Sequence, residues 1–167
     1  ATGEPTDDQA RKPVKPQGKI TRAEVATIFF RMLTDESRNA YWSQSNSFTD
    51  VAEDAWYNNA ISTMANAGIL DGYEDGSFHP NGYITRAEFA TIVVRALGLA
   101  AGPLGGETAF SDVAPEAWYA PYVDVAYRRG IVSGVGDGKF RPDGTLSRQE
   151  AAVKVAQAAG LSGQDTA

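Results

Sequence analysis

Apolar residues recur at helical spacing in three segments of the chain. In the first segment the apolar positions are Val25, Ile28, Phe29, Met32 and Leu33. This i, i+3, i+4, i+7, i+8 pattern is typical of an amphipathic helix with one buried stripe. It predicts helices over residues 22–33, 86–97 and 148–159. The third stripe is the weakest, because Lys154 stands where the other two helices carry isoleucine.

Each of these predicted helices begins with a capping box, in which Thr or Ser is followed three residues later by Glu. The sequence is Ile-Thr-Arg-Ala-Glu at 20–24 and 84–88, and Leu-Ser-Arg-Gln-Glu at 146–150. The box explains the hydroxyl and the glutamate but not the arginine, which faces the positive end of the helix dipole. Its recurrence favours an anion site made of free helix-start amides and the guanidinium groups of Arg22, Arg86 and Arg148.

A longer unit surrounds the last two motifs and repeats with an offset of 62 residues. It contains a Trp-Tyr pair at the start of a second predicted helix, a glycine that ends this helix, a Gly-rich turn and the capped helix. Such self-similarity indicates a repeat architecture. The chain therefore divides into a disordered lead (1–13), a partial first repeat with a connection (14–47), a second repeat with a flexible linker (48–109), a third repeat (110–161) and a frayed tail (162–167).

The arrangement of these units predicts an all-α fold of tandem helix–loop–helix repeats. Three capped helices with one apolar stripe each are most simply buried against one another. The Trp-bearing helices would then pack outside them, with grooves between the repeats. The aromatic pair at 41–42 lies in the predicted connection and is expected to dock on a neighbouring segment.

Composition and charge exclude several classes of protein. The net charge is −6 and the pI is about 4.8, which argues against a nucleic-acid binder. There are no cysteines and one histidine, so no metal site of the usual kinds is expected. The Asp71–Asp75 stretch resembles a calcium loop, but Tyr73 and Gly82 occupy positions that need acidic ligands. No apolar run reaches the ~18 residues that a membrane span requires.

No constellation of catalytic residues is apparent. The sequence carries no nucleophile motif, no phosphate loop and no His–carboxylate pairing. The recurring acids are already explained as caps and turns, and repeated sites suit multivalent binding better than catalysis. We therefore predict no enzymatic activity and no cofactor.

The combined motif Phe-[ST]-Asp-Val, Trp-Tyr, Gly-Ile, Asp-Gly-x-Phe-x-Pro and [IL]-[TS]-Arg-x-Glu resembles the S-layer homology domain over residues 14–161. The resemblance implies repeats in pseudo-threefold arrangement around a central three-helix bundle. It also implies an extracellular location at the bacterial surface and non-covalent anchoring to the cell wall. The implied ligand is a secondary cell-wall polysaccharide with pyruvate ketals on N-acetylmannosamine, or in some members peptidoglycan.

The resemblance also implies a set of ligand-binding residues in the grooves between repeats. The motif arginines would contact the anionic sugar, and the Asp and Trp residues would line the same grooves. The corresponding positions are Arg22, Arg86, Arg148, Asp50, Asp112, Trp56 and Trp118. A structural role remains the alternative for each: solvated charge for the arginines, a turn cap for the aspartates and partial core packing for the tryptophans.

Two further alternatives follow from the shortened first repeat. One central helix would lack its outer cover, so the chain could be an assembly module without a glycan ligand, or a homo-oligomer. The groove that uses the missing parts would be incomplete. If the arginines serve only the ligand, Arg86→Ala should weaken glycan binding with little loss of fold.

Overall fold

The computed structural model describes residues 18–103, 105 and 108–166, with side chains as far as residue 160. The predicted lead at 1–13 lies outside the described residues, as does part of the Gly-rich linker. The described part of the chain contains helices and isolated bridges but no extended strand, so the all-α prediction is confirmed. The helices are α1 Arg22–Met32, α2 Asp35–Tyr41, α3 Asn58–Asn66, α4 Arg86–Ala96, α5 Ala120–Arg128 and α6 Arg148–Thr166.

All three capping motifs form reciprocal hydrogen bonds. The Glu24 amide donates to the Thr21 hydroxyl at 3.1 Å, and the Thr21 amide donates to the Glu24 carboxylate at 2.9 Å. The same pair of bonds joins residues 85 and 88, and residues 147 and 150. The apolar residue that precedes each motif is almost fully buried. The start of each central helix therefore follows from its own sequence.

Each of the first two central helices packs against the outer helix of the next repeat. Helix α1 contacts α3, and α4 contacts α5. Gly68 lies just beyond the end of the outer helix α3, and its φ of +80° is the left-handed conformation expected after a helix end. The next two amides, of Ile69 and Leu70, donate back to the Met64 carbonyl. This fold-back places both side chains in the core, where they are buried.

The three segments that precede the central helices pair with one another. The Ile20 amide donates to the Leu146 carbonyl, and the Ile84 amide donates to the Ile20 carbonyl, both at 3.1 Å. An isolated antiparallel bridge between Thr85 and Thr145 supplies the third contact. Below them, the Phe29 and Phe89 rings of α1 and α4 lie 6.0 Å apart in the core. Each segment thus contacts the other two, while the pseudo-threefold arrangement of whole repeats stays a prediction.

The structure differs from the expectation at two places. The connection at 34–47 contains helix α2, because Thr34 caps it by accepting from the Ser37 amide at 3.1 Å. Helix α6 continues past Gly160 to Thr166, because this glycine keeps a helical conformation instead of ending the helix. The aromatic pair at 41–42 docks as expected in one respect: the rings of Trp42 and Phe30 pack with their centroids 6.2 Å apart.

Among the described helices, none combines the length and apolar character of a membrane span.

The capping geometry gives a direct stability prediction. Thr85→Ala removes the acceptor for the Glu88 amide and should lower the free energy of unfolding by about 1 kcal/mol, measured by urea denaturation. Thr85→Ser is the matched control, because Ser147 performs this role in the third repeat. Equal stability of the alanine and serine variants would contradict the assignment.

Candidate functional site

Arg22 joins the first repeat to the second through three separate contacts. Its Nε donates to the Phe78 carbonyl at 2.8 Å, and its Nη2 donates to the Asp71 carbonyl at 3.0 Å. Its Nη1 pairs with the Glu88 carboxylate at 3.1 Å. Arg22 is only 5% exposed, so these contacts replace the water that the guanidinium has lost. The arginine that the helix dipole disfavours at this position thus finds all its hydrogen-bond partners in the neighbouring repeat.

Arg86 makes the equivalent contacts between the second and third repeats. Its Nε donates to the Phe140 carbonyl at 2.8 Å and its Nη2 to the Ser133 carbonyl at 3.0 Å. It is 7% exposed, and this burial lowers the pKa of Arg86 from its ordinary value. The same pair of main-chain contacts therefore joins repeats at two junctions, although Arg86 has no counterpart of the Arg22–Glu88 ion pair.

Aromatic rings complete the environment of the buried arginines. The Arg22 guanidinium lies 4.5 Å from the Phe78 ring centroid and 4.7 Å from that of Tyr73. The Tyr73 hydroxyl donates to the Glu88 carboxylate at 2.7 Å. Burial, together with this hydrogen bond, raises the pKa of Tyr73 to about 12. Tyr73 therefore stays a neutral donor under physiological conditions and orients the glutamate that also pairs with Arg22.

Arg148 occupies a more open position than the other two. Its guanidinium pairs with the Glu24 carboxylate, with Nη2 at 3.0 Å from Oε2 and 3.1 Å from Oε1. Both side chains are 23% exposed. The contact joins the third repeat to the first, so it closes the cycle that Arg22 and Arg86 begin. Capping glutamates at residues 24 and 88 therefore have two roles: each caps its own helix and binds an arginine from another repeat.

The helix-start amides are not free, so this part of the expected anion site is wrong. The Arg22 amide donates to the Gly82 carbonyl at 2.8 Å, and the Arg86 amide to the Gly144 carbonyl at 2.7 Å. The Arg148 amide donates to the Gly18 carbonyl at 2.8 Å. These carbonyls belong to the Pro–Gly segment of a neighbouring repeat. An anion would have to displace them, because they already occupy the donors that helix starts offer to ligands.

Asp50 and Asp112 also hold turns in place. The Asp50 carboxylate accepts from the amides of Phe78 at 2.8 Å and His79 at 2.9 Å. Asp112 accepts in the same way from residues 140 and 141. Burial raises the pKa of Asp50, but the two amide hydrogen bonds outweigh it and hold the pKa below its ordinary value; the pKa of Asp112 is lowered by the same balance. The carboxylates fix His79 and Arg141, whose φ values of 59° and 60° are unusual for residues with a side chain.

The two tryptophans stay at the surface. Trp56 is 47% exposed and Trp118 is 55% exposed. Each ring contacts the tyrosine that follows it edge to face, with centroids 5.2 Å and 5.4 Å apart. Each indole therefore packs partly on a tyrosine and keeps about half of its surface exposed, which leaves it available as a stacking platform.

A groove of about 670 Å³ lies between the second and third repeats. Its walls are the turn at 69–75, the helix α4, and the loop that carries Trp118 and Tyr119. Of the predicted site residues, Arg22 and Trp118 line this groove. Arg86, Arg148, Asp50, Asp112 and Trp56 are not among its lining residues. The structure thus brings two of the predicted residues together here.

Arg95 is a groove residue that the sequence analysis did not identify. Its Nη1 lies 2.6 Å from the Asp71 carboxylate, and its Nη2 donates to the Tyr122 hydroxyl at 3.3 Å. Burial lowers the pKa of Arg95, but the hydrogen bonds to Tyr122 and Asp71 outweigh it and raise the pKa overall. A signal was present in the sequence: Arg31 and Arg95 both stand nine residues after the motif arginine. Within the described residues, no three histidine or acidic side chains are placed to hold a metal.

The model of the S-layer homology domain matches residues 47–90 and 109–152, which together exceed half of the chain. The protein therefore belongs to the S-layer homology domain family. The two matched regions end within the capped helices of the second and third repeats. Proteins that carry this domain, such as surface layer and cellulosome-anchoring proteins, are extracellular and associated with the cell wall.

Several characterised proteins are similar to this chain. A cellulosome-anchoring protein of Acetivibrio thermocellus is 32% identical over 84% of the chain, which corresponds to 32% of that protein. A surface layer protein of Brevibacillus choshinensis is 36% identical over 85% of the chain and 13% of its own length. An amylopullulanase of Thermoanaerobacterium thermosulfurigenes is 36% identical over 80% of the chain and 7% of its own length. The chain thus spans at most about a third of these relatives.

The burial of Arg86 changes the result expected for its removal. Arg86→Ala leaves the carbonyls of Phe140 and Ser133 without their donor and should lower the free energy of unfolding by about 2–4 kcal/mol. Arg148→Ala is the matched comparison and should cost clearly less, because its ion pair with Glu24 is partly exposed. Urea denaturation of both variants would measure the difference. A fully stable Arg86→Ala variant would show that the guanidinium is not structural.

The lowered pKa values of Asp50 and Asp112 predict a loss of stability in acid. The ionised form is favoured by folding, so its contribution is present above the ordinary value of 3.8 and is lost as the pH falls through the lower folded value. Asp50→Asn should therefore be less stable at pH 7 and lose less stability than the unmodified chain between pH 5 and about pH 2. Asp54→Asn, at an exposed position, is the control and should follow the unmodified chain.

Proposed function

We propose that this chain is a non-catalytic module that anchors a larger protein to the bacterial cell wall by binding a secondary cell-wall polysaccharide. Membership of the S-layer homology domain family supports this, as do relatives whose names describe surface layer and cellulosome-anchoring proteins. The groove between the second and third repeats is the proposed binding site. Its volume of about 670 Å³ falls within the range of ligand sites in proteins.

The exposed face of Trp118 at this groove is the observation that carries the proposal. More than half of this side chain is accessible, and Tyr119 supports its ring from one side. Tyr73 also lines the groove, where its ring packs against Arg22 and His79. The indole of Trp118 gives the apolar face of a sugar ring a surface on which to stack, while polar groups of the groove can bond the hydroxyl groups.

Two cations in this groove offer partners for the anionic groups of the proposed polysaccharide. Arg22 and Arg95 line the groove together with five acidic residues, of which Glu88 and Asp71 are paired with these arginines. A guanidinium matches a carboxylate such as that of a pyruvate ketal. Arg22 is almost fully buried and holds the groove together, so we assign the contact with the ligand to a more accessible group. Trp56 and Arg148 keep their proposed ligand roles at the other repeat junctions.

The absence of catalysis is part of the proposal and has a structural argument of its own. Hydrolysis of a glycoside needs two carboxyl groups free to face each other across a cleft. In the groove, Glu88 is bound by Arg22 and Tyr73, and Asp71 is bound by Arg95. Glu88 is thus held by two other side chains, which suits a structural role better than acid–base catalysis.

Trp118→Ala tests the assignment of the groove. The variant should bind purified wall sacculi at least about fivefold more weakly, because a central aromatic contact is removed. Trp42→Ala is the matched control: it removes a similarly exposed tryptophan that contacts Phe30 away from the groove, and it should bind normally. Circular dichroism would establish that both variants are folded.

The same sacculi, stripped of their secondary polysaccharide, separate the two candidate ligands. Loss of binding after stripping is the expected result. Binding that survives stripping would overturn the assignment to the polysaccharide and favour peptidoglycan. An equal loss for Trp118→Ala and Trp42→Ala would overturn the assignment to this groove.

A further inference from the structure

We propose that Arg95 is the group that recognises the carboxylate of the ligand, and that Asp71 holds the place of this carboxylate until the ligand arrives. The inference rests on the function proposed above and specifies its chemistry. Asp71 is then a residue that sets specificity and affinity without itself contacting the bound sugar.

The two arginines of the groove differ in how accessible their guanidinium groups are to a ligand. Arg22 is 5% exposed, and each of its three guanidinium nitrogens already has a protein partner: the carbonyls of Phe78 and Asp71, and the Glu88 carboxylate. A ligand could bind there only by breaking the junction between repeats. The side chain of Arg95 is 25% exposed, and its partner Asp71 is 70% exposed. The contact at Arg95 is therefore the one that a ligand can reach and replace.

Exchange at Arg95 is inexpensive in free energy because both states contain the same kind of bond. The Asp71 carboxylate lies 2.6 Å from Nη1 of Arg95. A carboxylate on the ligand would accept from the same nitrogen, while Asp71 turns into water. An exposed ion pair of this type contributes little to stability. The guanidinium of Arg95 stays in place for two reasons. Its Nη2 donates to the Tyr122 hydroxyl, and its central carbon lies 5.1 Å from the centroid of the Tyr122 ring.

The third repeat shows that the Asp71 side chain is not needed for the fold. Ser133 stands at the equivalent position, and its carbonyl accepts from Arg86 just as the Asp71 carbonyl accepts from Arg22. The main-chain contact is kept while the carboxylate is absent. The position equivalent to Arg95 in α6 is Gln157, so both charged side chains are absent from the third repeat. Their joint absence is what we expect if the two side chains work as one unit at a single groove.

The location of this pair also matches the aromatic platform. Arg95, Asp71 and Trp118 line the same groove. A sugar ring on the indole would therefore lie in the same groove as Arg95. The proposed recognition combines stacking on Trp118 with a charged contact at Arg95.

Binding of a synthetic ketal-bearing N-acetylmannosamine, measured by isothermal titration calorimetry, tests the exchange. Asp71→Ser should bind this sugar about two- to fivefold more tightly than the unmodified chain, because the competing carboxylate has gone. Arg95→Gln should weaken binding about tenfold or more. Both replacements occur naturally at the equivalent positions of the third repeat, so both variants are expected to fold. Arg31→Gln, the same change at the equivalent position of α1, is the matched control and should bind normally.

The methyl ester of the same sugar removes the carboxylate and completes the test. All four proteins should bind the ester weakly and with similar affinity. Unchanged affinity of Asp71→Ser and Arg95→Gln for the charged sugar would overturn this inference and leave the proposed function standing, provided that the unmodified chain binds. Failure of the unmodified chain to bind both the sugar and the unstripped sacculi would overturn both proposals.

Discussion

The contact between a motif arginine and the main chain of the next repeat is the interaction on which this structure depends. Arg22 and Arg86 are charged groups removed from water, and such groups are costly unless every donor finds a partner. Here the partners are carbonyls that no helix or sheet uses. Each arginine side chain thereby supplies hydrogen-bond donors to two carbonyls of the neighbouring repeat. The buried charge therefore joins one repeat to the next.

The capping box has a second role in this contact. In isolation it starts a helix, and the glutamate only needs to reach its own N-cap amide. In this protein the other carboxylate oxygen of Glu88 binds Arg22, and Glu24 binds Arg148. A local signal and a long-range contact therefore share one side chain. The arginine of one motif thus pairs with the glutamate of another at two junctions, whereas Arg86 bonds only main-chain carbonyls at the third.

The sequence was sufficient for features that depend on near neighbours and insufficient for those that depend on distant ones. Capping boxes, apolar stripes and the glycine at residue 68 act within a few positions, so the central helices and their starts could be predicted. The roles of Arg22 and Asp50 could not, because their partners lie 56 and 28 residues away in the chain. Helix α2 was missed for a different reason: its cap at Thr34 lacks the glutamate that made the other caps recognisable. Arg95 was missed because an arginine in the last turn of a helix is ordinary, and only the groove gives it a partner.

In the proposed binding site, the residues that hold the groove together differ from the residues that contact the ligand. Arg22 bonds the Gly-rich turn at Asp71 and Phe78 and pairs with Glu88 of α4, so it fixes these two walls of the groove. Groups at the groove surface then provide the aromatic face and the exchangeable cation. Such a division allows the surface groups to differ between junctions, as Ser133 and Gln157 do, without loss of the frame that carries them. The repeats can thus share one architecture while offering grooves of different specificity.

A crystal structure of the chain with a ketal-bearing wall disaccharide would test this division most directly. We expect sugar density on the exposed surface of Trp118, with Arg22 still bonded to the Phe78 carbonyl and Arg86 still bonded to the Phe140 carbonyl. Density for the carbohydrate against Arg22 or Arg86, with either guanidinium withdrawn from its carbonyl partners, would contradict the claim that these arginines hold the repeats together.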